Sequence, residues 1–568
     1  MPLNAAILLN RLTPDRASSR NRKQVLCLLA ALHAVALIIM VATEADLVAK
    51  IAFLLVWAVL NCFWLALVRR PTVAALLSLE FVISLTLLSR FKYDKLWITV
   101  DFVDVMIVDK DTSSFLLAEF PSLRGSIALA AAATAALLIV IWRLDQYRAR
   151  VSSTLLGGSL SMIALIVLSF SFPTELHEDF VGRDYVSKFA RTGVEAVHEF
   201  ASHGYLDADA SVADNLRTAS ATCPPSRRLP HIILLHDESS FDVTAATGIK
   251  VPADYHDHFR SFDGKSRKLL VEGIGGPSWF TEYNVLTGLS VRSYGRFATS
   301  VTRIAAGRVN HGLPRSLSRC GYRTFSLYPF YGDFLGSRAF QTTVGIEQYM
   351  DMLALGTRDF EADSFYFDQA IKTIEREHGS APLFLYVYTV ANHFPWDKRL
   401  RPELTPSWRD LGNAPEIDEY IRRQGMTAHD YRLLLERLAR EFPTESFLIV
   451  RYGDHQPQFG PRIIDPLLSQ KAFARRLEQS DPRYLTTYYA IDAINFTPAN
   501  LSSALDTLDA PYLPLIIEEA AGVPLDPSLS EQKSILQRCN GLFYTCADGA
   551  EARRFNRLLI QAGEITGF

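Results

Sequence analysis

Five apolar stretches, all before residue 175, constrain this chain more than any other feature of its 568-residue sequence. They span about residues 25–43, 51–68, 72–89, 125–142 and 152–172, and each approaches the ~20 residues that a helix needs to cross a bilayer core. Buried helices of a soluble protein are the alternative, but arginine pairs and turn residues bound these stretches. The sequence therefore predicts a transmembrane domain of five helices within residues 1–178.

The distribution of basic residues predicts the orientation of this domain. Basic side chains concentrate in the N-terminal segment and in the loops after the second and fourth stretches, at Arg11, Arg16, Arg20, Arg22, Lys23, Arg69, Arg70, Arg143, Arg148 and Arg150. Because cytoplasmic loops carry an excess of Lys and Arg, the N-terminus is predicted to be cytoplasmic. Five crossings then place everything after Phe172 outside the membrane. The even set Cys223, Cys320, Cys539 and Cys546 in that part fits an oxidising compartment.

The remainder of the chain reads as a connector followed by one α/β domain. Residues 179–229 are predicted to form an amphipathic helix and a linker rich in Ala, Ser, Asp and Pro. From residue 230 to residue 568, short apolar runs alternate with helical stretches, which is typical of a largely parallel sheet with helices on its faces. The formal net charge of −3, from 58 basic and 61 acidic side chains, argues against a nucleic-acid partner.

Polar residues follow several predicted strands of this domain, where ligands bind in such folds. The segments are His231–Glu238, Glu272–Glu282, Val390–Trp396 and Phe447–His455. They offer carboxylates and an imidazole, which suit Zn²⁺ or Mn²⁺, and a hydroxyl at Ser278 on a glycine-rich turn. Close to such an ion, the hydroxyl becomes a nucleophile at neutral pH. His256 and His258 are interpreted as exposed loop residues.

In order and spacing, these motifs resemble the alkaline-phosphatase/sulfatase superfamily. Within it, the layout is most similar to membrane-bound lipoteichoic acid synthases and periplasmic-glucan phosphoglycerol transferases. The resemblance implies one divalent metal ion, Mn²⁺ or Zn²⁺, held by Glu238, Ser278, Asp454 and His455, with Ser278 as the nucleophile. Most family nucleophiles are threonine, and Thr281 remains the alternative nucleophile.

The same resemblance implies substrate-binding residues. His393 matches the histidine of the family's Asn-His-Phe-Pro motif, and Arg338 corresponds loosely to a substrate-binding arginine. Trp396 follows the histidine motif and is expected either to stack on a glycerol or sugar or to pack in the core. Phe280 and Glu282 stand where sulfatases need proline and arginine for maturation to formylglycine, so a true sulfatase is not expected.

The expected activity is transfer of a phosphoglycerol headgroup from phosphatidylglycerol to a glycan or glycolipid acceptor, through a covalent seryl intermediate. The expected location is a bacterial inner membrane, with the catalytic domain in the periplasm. A phosphoethanolamine transferase is the nearest competing function, although those enzymes usually carry further zinc-site histidines after the Asp-His pair. Hydrolysis by a phosphodiesterase or phosphatase is a third possibility, and a catalytically inactive membrane regulator is a fourth.

Overall fold

The computed structural model describes residues 19–107, 116, 117, 120–216, 223, 229–379 and 381–568. The chain divides into two compact units, Met1–Ser202 and His203–Phe568. Arg11 and Arg16 of the predicted cytoplasmic segment, and residues 217–222 and 224–228 of the predicted linker, lie outside the described residues.

The N-terminal unit consists of helices. In chain order they are α1 (Ser19–Thr43), α2 (Leu47–Val68), α3 (Pro71–Leu96), α4 (Phe102–Ile107), α5 (Ser122–Leu144), α6 (Val151–Ser171) and α7 (Tyr185–His203). Among the described residues, five of them, α1, α2, α3, α5 and α6, are long and apolar enough to cross a membrane, which confirms the predicted five-helix domain. Helix α1 begins before the predicted residue 25, and α3 continues beyond the predicted residue 89.

The apolar residues of these helices face both inward and outward. Phe53 and Val82 are fully buried in the core of this unit, whereas Val41 and Leu129 are 68% and 73% exposed. A helix that is apolar on all sides needs an apolar environment on its outer face. The pattern is therefore that of helices surrounded by lipid.

The C-terminal unit contains an α/β sheet. Its strands are β1 (His231–Asp237), β2 (Arg267–Leu270), β3 (Arg323–Leu327), β4 (Gln348–Met350), β5 (Leu383–Thr389), β6 (Phe447–Gly453), β7 (Thr486–Ile494) and β8 (Thr507–Asp509). Within the part of the chain that the structure describes, they form one eight-stranded sheet in the order β4-β3-β5-β1-β6-β7-β2-β8. Only β7 is antiparallel to its neighbours here, so the predicted largely parallel sheet is confirmed.

The C-terminal unit also contains helices, several of which pack on this sheet. They are α8 (Ser278–Thr287), α9 (Val301–Ala305), α10 (Leu313–Ser318), α11 (Ser337–Thr343), α12 (Met352–Leu355), α13 (Asp363–Glu377), α14 (Pro415–Glu441), α15 (Gly460–Ile464), α16 (Gln470–Glu478), α17 (Pro482–Leu485), α18 (Leu513–Ala521), α19 (Pro527–Cys539) and α20 (Ala550–Gln561). Strands β1, β5 and β6 at the centre are buried along their whole length, as expected for parallel strands covered on both faces.

Two disulfides close loops of this unit. Cys223 pairs with Cys320, and Cys539 pairs with Cys546 seven residues later. Cys539 is the last residue of α19, and Asn540 caps the helix in the left-handed conformation with φ of 49°. Asn540-Gly541 therefore ends a helix, although an Asn-Gly pair is also common in the turn of a β-hairpin.

Candidate active site

The carboxyl ends of β1 and β6 bring two carboxylates together. Asp237 pairs in register with Gly453, so the next residues of the two strands, Glu238 and Asp454, lie side by side. A Cβ atom on Gly453 would lie 1.8 Å from the carbonyl oxygen of Ser240. Only glycine permits this close approach, which explains the glycine that precedes the Asp-His pair.

The turn after β1 fixes both carboxylates. Ser239 adopts a left-handed conformation with φ of 51°, which a serine rarely takes. Its N–H donates to Asp454 Oδ1 at 2.6 Å, and its hydroxyl donates to Glu238 Oε1 at 2.8 Å. One strained residue thus orients both acidic side chains.

Ser278 is the first residue of helix α8 and faces this pair. Its Oγ lies 3.1 Å from Glu238 Oε2 and 3.1 Å from His455 Nε2. The ten-residue helix α8 begins at Ser278, and the N-terminus of a helix stabilises negative charge. The serine is therefore located where an alkoxide or a phosphoryl group is favoured.

Hydrogen bonding sets the tautomer of His455. Its Nδ1 lies 2.9 Å from the carbonyl oxygen of Gln456, which can only accept, so Nδ1 carries a proton. In the neutral ring, Nε2 then presents a lone pair 3.3 Å from Asp454 Oδ2 and 3.7 Å from Glu238 Oε1. This arrangement is the one that prepares an imidazole to bind a metal ion.

The structure adds His236 to the cluster. Its Nε2 lies 3.1 Å from Asp454 Oδ2, and its Nδ1 lies 2.8 Å from the hydroxyl groups of Tyr386 and Tyr452. Strand alternation could have predicted this position, because residues two apart, His236 and Glu238, point to the same face. The ligand set expected from the sequence motifs does not contain His236.

The donor atoms of these residues fit a divalent cation. His236, Glu238 and Asp454 each present a ligand atom, and these atoms all lie within 4.8 Å of one another. Ligands of a tetrahedral zinc site are about 3.3 Å apart, given bonds of about 2 Å, and the separations around His455, Asp454 and Glu238 are 3.3 and 3.7 Å. His236 Nε2 and Asp454 Oδ2, which face each other at 3.1 Å, are buried and have no other hydrogen bond among the described residues.

Electrostatics support the same conclusion. Burial opposes ionisation of Asp454, but His455 and His236 beside it lower the pKa of its carboxyl below the usual value. No Lys or Arg of the described residues forms an ion pair with Glu238 or Asp454. Two buried carboxylates without a counter-cation are costly, and a bound cation removes that cost.

His393 lies on the loop after β5, near this cluster. Its Nδ1 lies 2.6 Å from the carbonyl oxygen of Phe394, so this nitrogen carries the proton and Nε2 keeps a lone pair. Burial lowers the pKa of His393, and the negative charges of Glu238 and Asp454 partly oppose this shift. Arg423 of α14 holds the loop by donating to the carbonyl oxygens of His393, Pro395 and Lys398 at 2.6, 2.8 and 2.7 Å.

Arg338 and Trp396 have other contacts. Arg338 of α11 pairs with Asp351, its guanidinium lies 4.7 Å from the ring centre of Tyr349, and its side chain is 45% exposed. Trp396 is 6% exposed and packs edge-on against Tyr420 and Phe459. This packing favours the second role considered for Trp396, a place in the core.

Thr281 and His258 are both buried and hydrogen-bonded. The Thr281 hydroxyl is buried and donates to the carbonyl oxygen of Asp454, so it does not face Glu238 as Ser278 does. His258 is 7% exposed, which corrects the interpretation as an exposed residue. Its Nε2 lies 2.8 Å from Asp237 Oδ2, a partner that is distant in sequence and could not be predicted from the local pattern.

Comparison with known proteins agrees with this architecture. Residues 280–489 match the family model described as Sulfatase, a range that includes Asp454 and His455 and begins after Ser278. This match confirms the superfamily resemblance. No curated protein sequence matches the chain.

Three solved structures are similar to the chain. The phosphoglycerol transferase GacH from Streptococcus pyogenes, in complex with sn-glycerol-1-phosphate, is 15% identical, with 70% of this chain and 91% of that chain covered and a TM-score of 0.45. The lipoteichoic acid synthase LtaP from Listeria monocytogenes is 15% identical, with 52% and 73% covered and a TM-score of 0.41. The lipooligosaccharide phosphoethanolamine transferase A from Neisseria meningitidis is 11% identical, with 83% and 95% covered and a TM-score of 0.44.

Proposed function

We propose that this chain, which carries a sulfatase-family domain of the alkaline-phosphatase superfamily, transfers phosphoglycerol from phosphatidylglycerol to a glycan or glycolipid acceptor. The observation that carries the proposal is the Ser278 hydroxyl at a helix N-terminus, 3.1 Å from both Glu238 and His455. In this proposal Glu238, Ser278, Asp454 and His455 hold one divalent ion, Mn²⁺ or Zn²⁺. Such an ion, when bound, lowers the pKa of an adjacent hydroxyl and stabilises charge on phosphoryl oxygens.

In the first half of the reaction, Ser278 is the nucleophile. Its Oγ forms a bond to phosphorus, and the bond between phosphorus and the diacylglycerol oxygen breaks. The proton lost by Ser278 balances the proton that the departing diacylglycerol takes up. The N-terminus of α8 stabilises the negative charge of the glycerophosphoryl group on Ser278.

In the second half of the reaction, His393 is the general base of this proposal. Because burial lowers the pKa of His393, the ring is neutral at pH 7, with its lone pair on Nε2. Such an imidazole accepts the proton of an acceptor hydroxyl as that hydroxyl attacks phosphorus. The new bond to the acceptor forms, the bond to Ser278 Oγ breaks, and His393 returns to neutral as a proton is restored to the serine, so that the acceptor's proton replaces the one that Ser278 lost.

The membrane helices and the loop after His455 support the choice of substrates. A chain with five helices able to cross a membrane is suited to a phospholipid donor. After the Asp-His pair, Gln456 donates its amide to the carbonyl oxygens of Arg483 and Thr486, both at 2.9 Å, and so serves the backbone. This favours phosphoglycerol over phosphoethanolamine, whose transferases usually carry additional zinc-site histidines there.

The proposed orientation has a cytoplasmic N-terminus and a periplasmic catalytic domain, in a bacterial inner membrane. The basic loops around Arg69 and Arg143 support it. A reporter fused after Phe172 is expected to be active only on the periplasmic side, and one fused within residues 143–150 only in the cytoplasm.

The decisive experiment compares Ser278→Ala with wild type in vesicles that contain labelled phosphatidylglycerol or phosphatidylethanolamine. Ser278→Ala is expected to abolish diacylglycerol release, whereas Ser278→Thr retains measurable release. Ser326→Ala is the matched control, because Ser326 is also buried and its hydroxyl has no hydrogen-bond partner in the described structure.

Intact-protein mass without acceptor tests the intermediate. Wild type is expected to gain one glycerophosphoryl group on Ser278. An adduct on Thr281, or full activity of Ser278→Ala, would contradict the proposal. Release from phosphatidylethanolamine alone would assign the chain to phosphoethanolamine transfer, and release to water alone would assign it to phosphodiester hydrolysis.

A further inference from the structure

Tyr388 of β5 contacts the same carboxylate oxygen as the nucleophile does. Its hydroxyl lies 2.9 Å from Glu238 Oε2, the atom that also accepts from Ser278 Oγ. Tyr388 is only 2% exposed. Nothing in the sequence motifs indicates this residue, since it precedes the Asn-His-Phe-Pro motif.

The ring of Tyr388 is held in place on several sides. It stacks on the imidazole of His236, with ring centres 3.7 Å apart and planes 12° from parallel. Tyr328 and Phe330 pack edge-on against it at 5.5 and 5.9 Å. A ring with these neighbours cannot swing, so its hydroxyl has a fixed position.

The Tyr388 hydroxyl donates to Glu238 Oε2 at 2.9 Å. A neutral phenol opposite a carboxylate must donate, so the hydrogen bond runs from Tyr388 to Glu238. Glu238 Oε1 meanwhile accepts from the Ser239 hydroxyl at 2.8 Å.

We infer that Tyr388 is a positioning residue, whose hydroxyl fixes the plane of the Glu238 carboxylate and thereby aligns Ser278 and the cation-binding atoms. Donors on both oxygens, Ser239 on Oε1 and Tyr388 on Oε2, prevent rotation of the carboxyl group. Partners of this kind usually change metal affinity or activity by about 10–100-fold. The inference rests on the proposed role of Ser278.

The test is Tyr388→Phe in the full-length chain, because this change keeps the ring stack on His236 and removes only the hydroxyl. Affinity for Mn²⁺ and Zn²⁺, measured by calorimetry, is expected to fall by about tenfold or more. The rate of diacylglycerol release at saturating phosphatidylglycerol is expected to fall by about 10–100-fold, with KM changed by less than about threefold.

Tyr322→Phe is the matched control. Tyr322 is equally buried, and its hydroxyl donates to the carbonyl oxygen of Pro230 at 2.8 Å, so the control also removes one buried tyrosine hydrogen bond. It is expected to lower the thermal midpoint as Tyr388→Phe does, without changing metal affinity or kcat.

Three outcomes would overturn the inference. They are an unchanged metal affinity in Tyr388→Phe, a rise in KM alone, and unfolding of Tyr388→Phe at a temperature at which Tyr322→Phe stays folded. The last outcome would mean that the Tyr388 hydroxyl serves the stability of the fold and does not position Glu238. The metal titration needs no lipid, so it decides the role of Tyr388 even if wild type releases no headgroup. A wild-type protein that binds the metal but releases no headgroup would instead reject the proposed function.

Discussion

Two consecutive carboxylates at the end of β1, Asp237 and Glu238, belong to clusters of opposite electrostatic balance. Asp237 accepts from His258 Nε2 at 2.8 Å and from the Tyr488 hydroxyl. Behind them Arg451 donates to the carbonyl oxygen of His258 at 2.8 Å and lies 3.3 Å from Asp492. This cluster therefore contains a protein cation, Arg451, beside its carboxylates Asp237 and Asp492.

The Glu238 cluster has no such balance. Its carboxylates, Glu238 and Asp454, contact hydroxyls, backbone N–H groups and imidazoles, and among the described residues no Lys or Arg pairs with them. Buried ionisable residues are common to both clusters, so burial alone does not identify a reactive site. The absence of a Lys or Arg partner does distinguish the carboxylates of the Glu238 cluster, because it calls for a cation from solution.

The largest expected effect separates the two clusters by activity. Glu238→Gln and Asp454→Asn each remove one negative charge, so diacylglycerol release is expected to fall by about 10³-fold or more, corresponding to about 4 kcal/mol of transition-state stabilisation. Excess Mn²⁺ or Zn²⁺ is expected to restore part of the rate. Asp237→Asn, one residue away, serves as the control and is expected to retain activity within about tenfold of wild type. Equal losses in all three variants would remove the distinction between the clusters.

The free energy of unfolding is expected to rank these variants in the opposite order. Asp237→Asn weakens the hydrogen bonds that His258 Nε2 and the Tyr488 hydroxyl make to a buried carboxylate, and hydrogen bonds to a charged group contribute about 1.5–3 kcal/mol each. In the presence of EDTA, Glu238→Gln removes a buried carboxylate that no Lys or Arg of the described residues pairs with, and it is expected to leave the free energy of unfolding unchanged or to raise it. Urea unfolding of the detergent-solubilised chain in EDTA measures both. A larger loss in Glu238→Gln than in Asp237→Asn would contradict the assignment of charge balance.

The sequence predicted the main architecture because its signals are local. Apolar stretches identify membrane helices, and alternating apolar runs identify the central strands β1, β5 and β6. The edge strands β4 and β8 have three residues each and too little pattern to be recognised. The first turns of helix α14, which begins at Pro415, are rich in polar residues and carry a weaker apolar pattern than its second half.

The candidate site, too, could be predicted only where its signals are local in the sequence. Glu238, Ser278 and Asp454 follow strands or begin a helix, so motif order indicates them, and their catalytic roles stay a prediction. Tyr388 and the Asp237–His258 contact depend on pairs that are 150 and 21 residues apart. Such contacts follow from the packing of β1 with β5 and from the loop before β2, which no local pattern specifies.

A smaller effect is expected at His236, which lies at the margin of the Glu238 cluster. His236→Gln is expected to weaken binding of Zn²⁺ or Mn²⁺ by about 10–100-fold, less than Glu238→Gln does, because Nε2 of the histidine faces Asp454 at 3.1 Å. His231→Gln is the matched control at the other end of β1, where Nδ1 accepts from the N–H of Leu383. Unchanged affinity in His236→Gln would restrict His236 to packing against Tyr388.

The smallest effect concerns the protonation of His258 in the balanced cluster. Burial lowers the pKa of His258, despite its hydrogen bond to Asp237. The folded chain therefore resists protonation of this ring, whereas the unfolded chain takes up a proton near pH 6.5. Its contribution to stability is complete above pH 6.5 and is lost as pH falls from 6.5 toward the lower folded pKa, by at most about 1.4 kcal/mol for each pH unit.

His258→Gln isolates this contribution, since its Nε2 can replace the imidazole Nε2–H as a donor to Asp237 without titrating. Between pH 7.5 and 5.5, wild type is expected to lose more unfolding free energy than His258→Gln, because other titrating groups contribute equally to both and cancel in the difference. The opposite sign, with wild type gaining stability relative to the variant at low pH, would show that His258 is protonated in the folded state. The Asp237 cluster would then carry a second cation beside Arg451, and its contrast with the cation-deficient Glu238 cluster would be even greater than the structure indicates.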